Sequence, residues 1–338
     1  MKNQELIAES KLRSYIYGYQ HSMAIATFTR LGLPDLLEPG PLAAGLLAER
    51  SGCNLDHLSR LLEYLCSIEV LKRDEQDRYS LTEISDLLRS KNSRSFNDFA
   101  QLPSFDWQWQ AWGALPAAIK SGKCPFEIAN GKPFFEYLAQ NSEANGVFNR
   151  IMGDRSEIEA AVAAQLVFNA DEVVVDVGGG RGVLAAQLLT QHPGIRPTVF
   201  DLPQVRDAAQ DYLQAACPSG AIDFVSGSFF SDPIPAADTL VLKWILPDWD
   251  DRIAAKILTN CQNALRPGGR LIIVEAIVDN GDAQAASRAL DLTMLVVTGG
   301  RERTLREFSE LLKATGFELR SCEKLRSRYQ LSLLEAVV

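Results

Sequence analysis

The residues most able to do chemistry sit at the ends of two strand-like runs. The first run ends in Asp176-Val177-Gly178-Gly179-Gly180-Arg181-Gly182, and a helical run follows. Glycines at such a junction allow a tight turn and let a ligand lie close to the backbone. The second run ends in Val199-Phe200-Asp201-Leu202-Pro203. A carboxylate at the end of a second strand suits a ribose, because it can accept from both hydroxyls. A glycine loop alone serves either a dinucleotide or a nucleoside. Here an acidic residue, Asp176, precedes the glycines, where it would meet a cationic amine rather than a pyrophosphate.

These residues need a scaffold, and the pattern from about residue 170 supplies one. Runs at Glu172–Val177, Thr198–Phe200, Ile222–Val225, Thr239–Leu242 and Arg270–Val274 read as strands. Runs at Leu184–His192, Gln204–Ala215 and Trp249–Leu265 read as helices. This alternation predicts an open, mostly parallel sheet covered on both faces, with ligands at the carboxyl ends of the strands. Residues 1 to about 100 differ. Helical spacing over Tyr15–Leu37 breaks at Glu38-Pro39-Gly40-Pro41, and Leu42–Arg50 follows as a second helix. Asn54 caps a third, Leu58–Ile68. Two short strands, Val70–Lys72 and Arg78–Leu81, flank a polar turn at Asp74–Asp77. Helices followed by a hairpin make a winged-helix pattern. The segment between is helical and rich in aromatics, Trp107, Phe126, Tyr137 and Phe148 among them. Such rings either pack helices together or wall a flat substrate.

Composition narrows the field. The chain has 338 residues, enough for about two domains. Its 46% apolar content is that of a globular protein, and no run approaches the length of a membrane span. The polar start MKNQELIAESKLRSYIYGYQ does not read as a signal peptide. A net charge of −9 disfavours nucleic acid or an anionic membrane as partner. Six scattered cysteines without a CxxC pair read as reduced thiols in a cytoplasmic protein. With three histidines and no HExxH-type pair, no metal site is expected.

The motifs DVGGGRG, FDLP, SGSFF, LKWILPDWDD, ALRPGGRLIIVEAIV and DLTMLVVTGGRERTLREF occur in this order. Together they resemble the plant-type small-molecule O-methyltransferases and their bacterial natural-product relatives, over nearly the whole chain. The resemblance implies a mainly α winged-helix dimerisation domain over residues 1–100 and a helical linker and pocket segment over 101–165. It implies a Rossmann-like catalytic domain with a seven-stranded, mostly parallel sheet over 166–338. It also implies a homodimer, S-adenosylmethionine as cofactor, S-adenosylhomocysteine as product and a small aromatic or polyketide-like substrate. Asp176, Gly178 and Gly180 would hold the methionine end of the cofactor, Asp201 the ribose, and Leu202 the adenine. Ser228 stands where the family usually has an aspartate at the adenine, Phe229 would stack nearby, and Lys243 matches a lysine beside the cofactor. Met152 and Met294 match methionines that flank the substrate, with Trp107 and Phe148 as further walls.

One departure is chemical. A phenol has a pKa near 10, so its methylation gains from a general base. The family's base is the histidine of an L-H-D-W segment; here the segment reads Leu246-Pro247-Asp248-Trp249, so Pro247 lines the site without a base, and a proline there suits the first turn of a helix. The two acidic partners of that histidine match Glu275 and Glu302, and Asp248 is present. His21 belongs to a helix that in family dimers can approach the neighbouring pocket; His57 and His192 read as surface or interface residues. Three functions fit. The first is methyl transfer to oxygen or nitrogen without a histidine, helped by placement or by Asp248, Glu275 or Glu302 as base. The second is a non-methylating enzyme of the same fold that uses the sulfonium as a fixed charge, of the cyclase, decarboxylase or hydroxylase type. The third is a winged-helix binding module. Pro247→His restores the family base and is expected to raise O-methylation of a phenol severalfold in a product assay; no gain would mean that the rest of the site no longer suits that chemistry.

Overall fold

The computed structural model describes residues 2–92, 94–153, 156–278, 284–326 and 331–338. It forms two compact units, Met1–Ala114 with Phe135–Ile151, and Leu115–Phe134 with Met152–Val338.

In the first unit the helices Gly18–Arg30, Ala44–Ser51 and Leu55–Ser67 bury Phe28, Leu47, Leu62 and Leu65 in one core. Asn54 starts the third helix, its side chain accepting from the His57 N–H at 3.1 Å. A small antiparallel sheet completes the winged helix: β1 (Leu42–Ala43), β2 (Leu71–Arg73) and β3 (Arg78–Leu81), in the order β1-β3-β2. Leu42 and Ala43, expected to open the second helix, instead pair with Tyr79 and Arg78. They occupy the edge of β3 that β2 leaves free.

The second unit is built on seven strands, β4 (Val173–Val177), β5 (Arg196–Asp201), β6 (Asp223–Ser226), β7 (Ala237–Lys243), β8 (Leu265–Ala276), β9 (Glu318–Lys324) and β10 (Leu331–Val337). Their order is β6-β5-β4-β7-β8-β10-β9; the first five run parallel and β10 is antiparallel to both neighbours. The central strand Val-Val-Val-Asp-Val is buried on both faces, as a parallel strand under two helix layers must be. Val175 and Val177 face a core with the helices Asp251–Ala264 and Leu305–Ala314. Val174 faces a second core with the helices Ser156–Gln165 and Val183–Gln191.

Two sequence expectations need correction. The helix expected from Trp249 begins at Asp251, because the Asp250 carboxylate accepts from the Ile253 N–H at 2.8 Å and caps it there. Pro247 therefore lies in a separate 3-10 turn, Leu246–Asp248, and not in the first turn of that helix. The strands β9 and β10 are also additions to the sequence reading, β9 being a polar edge strand without clear alternation.

The glycine loop enters its helix through Gly182, at φ 82°, where an added Cβ would lie 2.9 Å from Leu213 Cδ2 and 3.0 Å from Val199 Cγ2. Gly182→Ala is expected to lower stability by about 1–3 kcal/mol through left-handed strain and crowding. A denaturant titration with an unchanged midpoint would refute this.

Candidate active site

Alternation along the strands sorts the charged residues between the two faces of the sheet. Asp176 follows Val174 by two and Lys243 follows Val241 by two, so both point to the side covered by the helix Ser156–Gln165. There Lys243 Nζ lies 2.9 Å from Glu159 Oε1. Asp176 is 3% exposed, and its Oδ2 has no hydrogen-bond partner. Burial pushes its carboxyl up to about 7, opposed by Lys243 and reinforced by Asp201 and Glu159. Beyond the end of the strand, Gly178 donates its N–H to the Phe200 carbonyl at 2.8 Å and turns the chain outward. Gly180, at φ 57°, faces open space on its Cβ side.

Asp201 lies across this loop. Its Oδ2 accepts from the Gly180 N–H at 2.7 Å and its Oδ1 from the Leu202 N–H at 2.6 Å. Each carboxylate oxygen retains acceptor capacity for a diol. Burial raises its pKa against these two donors. Leu202 is 39% exposed, an apolar surface left open beside the carboxylate. Ser228 accepts weakly from the Phe230 N–H at 3.3 Å, and Phe229 packs edge-on against Phe230 with ring centroids 4.6 Å apart. An open glycine cradle, an orphaned buried carboxylate oxygen and a fixed diol acceptor are what an adenosyl amino acid requires. The residues present therefore fit S-adenosylmethionine.

The opposite face carries the carboxyls expected from the resemblance. Glu275 follows Ile273 by two on β8 and points toward the core that holds Leu246. It is fully buried. Its Oε1 accepts from the Ile245 N–H at 3.0 Å, while its Oε2 has no partner. Glu302 is 6% exposed, and its Oε2 is likewise orphaned. Burial, then repulsion from Glu302, holds the Glu275 carboxyl well above the ordinary carboxylate range. Burial, then Asp291 and Asp248, lifts Glu302 to about 7, and burial alone lifts Asp248 to about 7. The structure thus brings Asp248, Glu275 and Glu302 together beside Pro247, which is buried.

Residues that the sequence did not single out hold this arrangement. Arg303 is fully buried and donates to the Leu246 carbonyl at 2.8 Å, the Trp249 carbonyl at 2.9 Å and Asp251 Oδ1 at 2.9 Å. The Arg301 N–H donates to the Pro247 carbonyl at 2.8 Å, and the Glu302 N–H to Asp291 Oδ1 at 2.9 Å. Trp244 leaves β7 at φ 55°, a strained conformation for a bulky residue, with Lys243 Nζ 4.4 Å from its ring centroid. A φ value leaves no mark on sequence, so Trp244 carried no signal. Met152 and Met294 belong to the second unit, as do the cofactor and carboxyl residues. Trp107 and Phe148 belong to the first, where Trp107 stacks on Phe105 at 5.7 Å and Phe148 meets Phe135 edge-on at 6.1 Å. His21 is also in the first unit, with its Nδ1 3.0 Å from the Tyr64 hydroxyl.

A family model described as the O-methyltransferase domain matches residues 112–318, and one described as the O-methyltransferase dimerisation domain matches residues 14–91. The chain belongs to the O-methyltransferase family. Among its relatives is the mitomycin biosynthesis 6-O-methyltransferase of Streptomyces lavendulae, 32% identical over 92% of this chain and 90% of that protein. The solved structure of the mitomycin 7-O-methyltransferase MmcR matches with a TM-score of 0.93 at 30% identity, over 99% of both chains. The O-methyltransferase NcsB1 from neocarzinostatin biosynthesis, solved with S-adenosylmethionine and 2-hydroxy-5-methyl naphthoic acid, matches with a TM-score of 0.83 at 31% identity, over 94% of this chain and 96% of that one. This methyltransferase is an S-adenosylmethionine-dependent enzyme with an N-terminal dimerisation domain. Among the described residues, no helix is long and apolar enough to cross a membrane.

The carboxyl group fixes a pH dependence of stability. Glu302 moves from an ordinary 4.5 to about 7 on folding, so the folded protein keeps a proton that the unfolded chain releases. Its contribution is intact below the ordinary value and is lost as pH rises toward 7. Glu302→Gln is expected to match the parent in unfolding free energy, read from urea titrations, near pH 4 and to exceed it at pH 8 by about 1–3 kcal/mol. A difference that does not change with pH would contradict the assignment.

Proposed function

We propose that this methyltransferase methylates a phenolic oxygen of a small aromatic or polyketide-like natural product, with a carboxylate of the Asp248, Glu275 and Glu302 group as general base. The orphaned, buried Glu275 Oε2 and Glu302 Oε2 beside Pro247 carry this reading. S-adenosylmethionine supplies a methyl group on a sulfonium, with S-adenosylhomocysteine as the product that leaves. The phenol oxygen forms the new C–O bond as the C–S bond breaks and the electron pair goes to sulfur. The phenolic proton passes to a carboxylate oxygen. A base with a pKa near 7 is well matched to this task at neutral pH, and Asp248 and Glu302 both lie there. Asp176, Gly178, Gly180, Asp201, Leu202, Ser228, Phe229 and Lys243 would hold the cofactor. Met152, Pro247 and Met294 would hold the acceptor as apolar walls.

The dimerisation domain supports pairing into a homodimer, and the apolar Leu6, Ile7, Leu12 and Ile16 exposed on the helix Lys2–Ile16 that leads into it fit such a contact. The six cysteines are all free thiols, which supports a reducing, cytoplasmic location.

Incubation with deuteromethyl-labelled S-adenosylmethionine and candidate phenols tests the reaction by mass spectrometry. A labelled product with an equal amount of S-adenosylhomocysteine is expected. Conversion without label, with the cofactor intact, would favour an enzyme that uses only the sulfonium charge. With the acceptor in hand, kcat is expected to rise as pH passes upward through about 7, and Glu302→Gln or Glu275→Gln is expected to lower it by about 10²–10⁴-fold. An unchanged kcat in both variants would remove these residues from the mechanism.

A further inference from the structure

The cofactor-side face holds a residue that neither the family motifs nor the proposed reaction uses. Glu159 lies in the first turn of the helix Ser156–Gln165 and is 5% exposed. One of its carboxylate oxygens is committed to Lys243 Nζ at 2.9 Å; the other, Oε2, is buried without a partner. Asp176 repeats the pattern on the adjacent strand. Its Oδ2 is likewise buried and orphaned. Two unsatisfied anionic oxygens thus share one face of the sheet. When ionised, Asp176 and Glu159 outnumber Lys243, leaving one uncompensated negative charge in a buried site, an arrangement that proteins avoid unless a ligand completes it.

A primary ammonium completes it. It brings one positive charge and three N–H donors, and no acceptor that would need satisfying. We propose that Glu159 is a second carboxylate ligand for the α-ammonium group of the cofactor, acting with Asp176, and that Lys243 is the positioning residue that holds Glu159 in place. This rests on placing the methionine end of the cofactor at Asp176. It explains why Glu159 presents only one oxygen to Lys243. In the free protein, a proton on Asp176 substitutes for the missing cation. The charged groups acting on that carboxyl are Lys243 from β7, Asp201 from β5 and Glu159 from the helix, and together with burial they hold it near 7. Ammonium binding lowers this value, so it expels the proton.

Calorimetric titration tests the inference without any methyl acceptor. The probes are S-adenosylhomocysteine and its deaminated analogue, which lacks only the α-amino group. The unaltered protein is expected to bind S-adenosylhomocysteine at least tenfold more tightly than the analogue. At pH 7 it should release a fraction of a proton with the former only, as read in buffers of different ionisation enthalpy. Glu159→Gln is expected to lose tenfold or more in affinity for S-adenosylhomocysteine while its affinity for the analogue stays within twofold. Glu159→Asp, which keeps the charge, should recover part of the preference. Equal losses for both ligands, or no loss for either, would overturn the role of Glu159. Failure of the unaltered protein to bind either ligand would instead overturn the placement of the cofactor.

Discussion

The segments that carry the buried acids are joined by one buried guanidinium. Arg303 reaches out of the loop that carries Glu302 and donates to two carbonyls and a carboxylate of the segment 246–251. That segment carries Pro247 and Asp248, and the chain just before it satisfies one oxygen of Glu275. Three stretches of chain far apart in sequence are joined around one cluster of acids. A fully buried charge costs several kcal/mol unless it is fully hydrogen-bonded, and here the planar donor set of arginine meets that demand where the single ammonium of lysine would not. The neighbouring Pro247 carbonyl is held independently by the Arg301 N–H. The turn at Pro247 is therefore held through its backbone, independently of the side chain at that position.

The sheet itself separates two electrostatic tasks. Residues alternate across a strand, so Asp176 and Lys243 project to one face and Glu275 to the other. Both groups lie near the carboxyl ends of parallel strands, where the helix layers leave room for ligands. One face gathers Asp176 and Glu159 around Lys243. The other gathers Asp248, Glu275 and Glu302, whose burial raises their pKa values. Neither group has enough positive charge of its own, and each answers that deficit by holding protons at neutral pH.

Much of this was readable from the chain. The glycine loop and Asp201 were legible because their function is a property of the backbone path and of strand ends, which composition marks strongly. The parallel strands were legible for the same reason, as short apolar runs alternating with helices. Glu275 and Glu302 emerged only through the motifs around them, since an isolated acid in a strand or loop says nothing about burial. Glu159 was opaque because an acid in the first turn of a helix is ordinarily a favourable partner of the helix dipole. Arg303, in Arg-Glu-Arg-Thr, reads as part of a charged surface turn, although it is among the most buried side chains of the chain. Proline at 247 suggested a helix start, and the structure uses it in a tighter turn because Asp250 caps the helix three residues later.

The last strand in sequence, β10, is not at an edge of the sheet. It lies between β8 and β9, with Leu333 and Leu334 facing Val274 and Ile273 across its register. Among the described residues β9 pairs only with β10, so it has no seat on the sheet until β10 is in place. A growing chain that has emerged through β9 therefore exposes one side of β8 as an unsatisfied edge, which is a template for unwanted pairing. The glycine loop, β4, β5 and β7 all precede β9 and β10 in the chain, so during synthesis they can come together before β10 emerges. Closure of the sheet is then a late event in the birth of the molecule, and the half of the fold that holds the cofactor can form before the half that shuts its far edge.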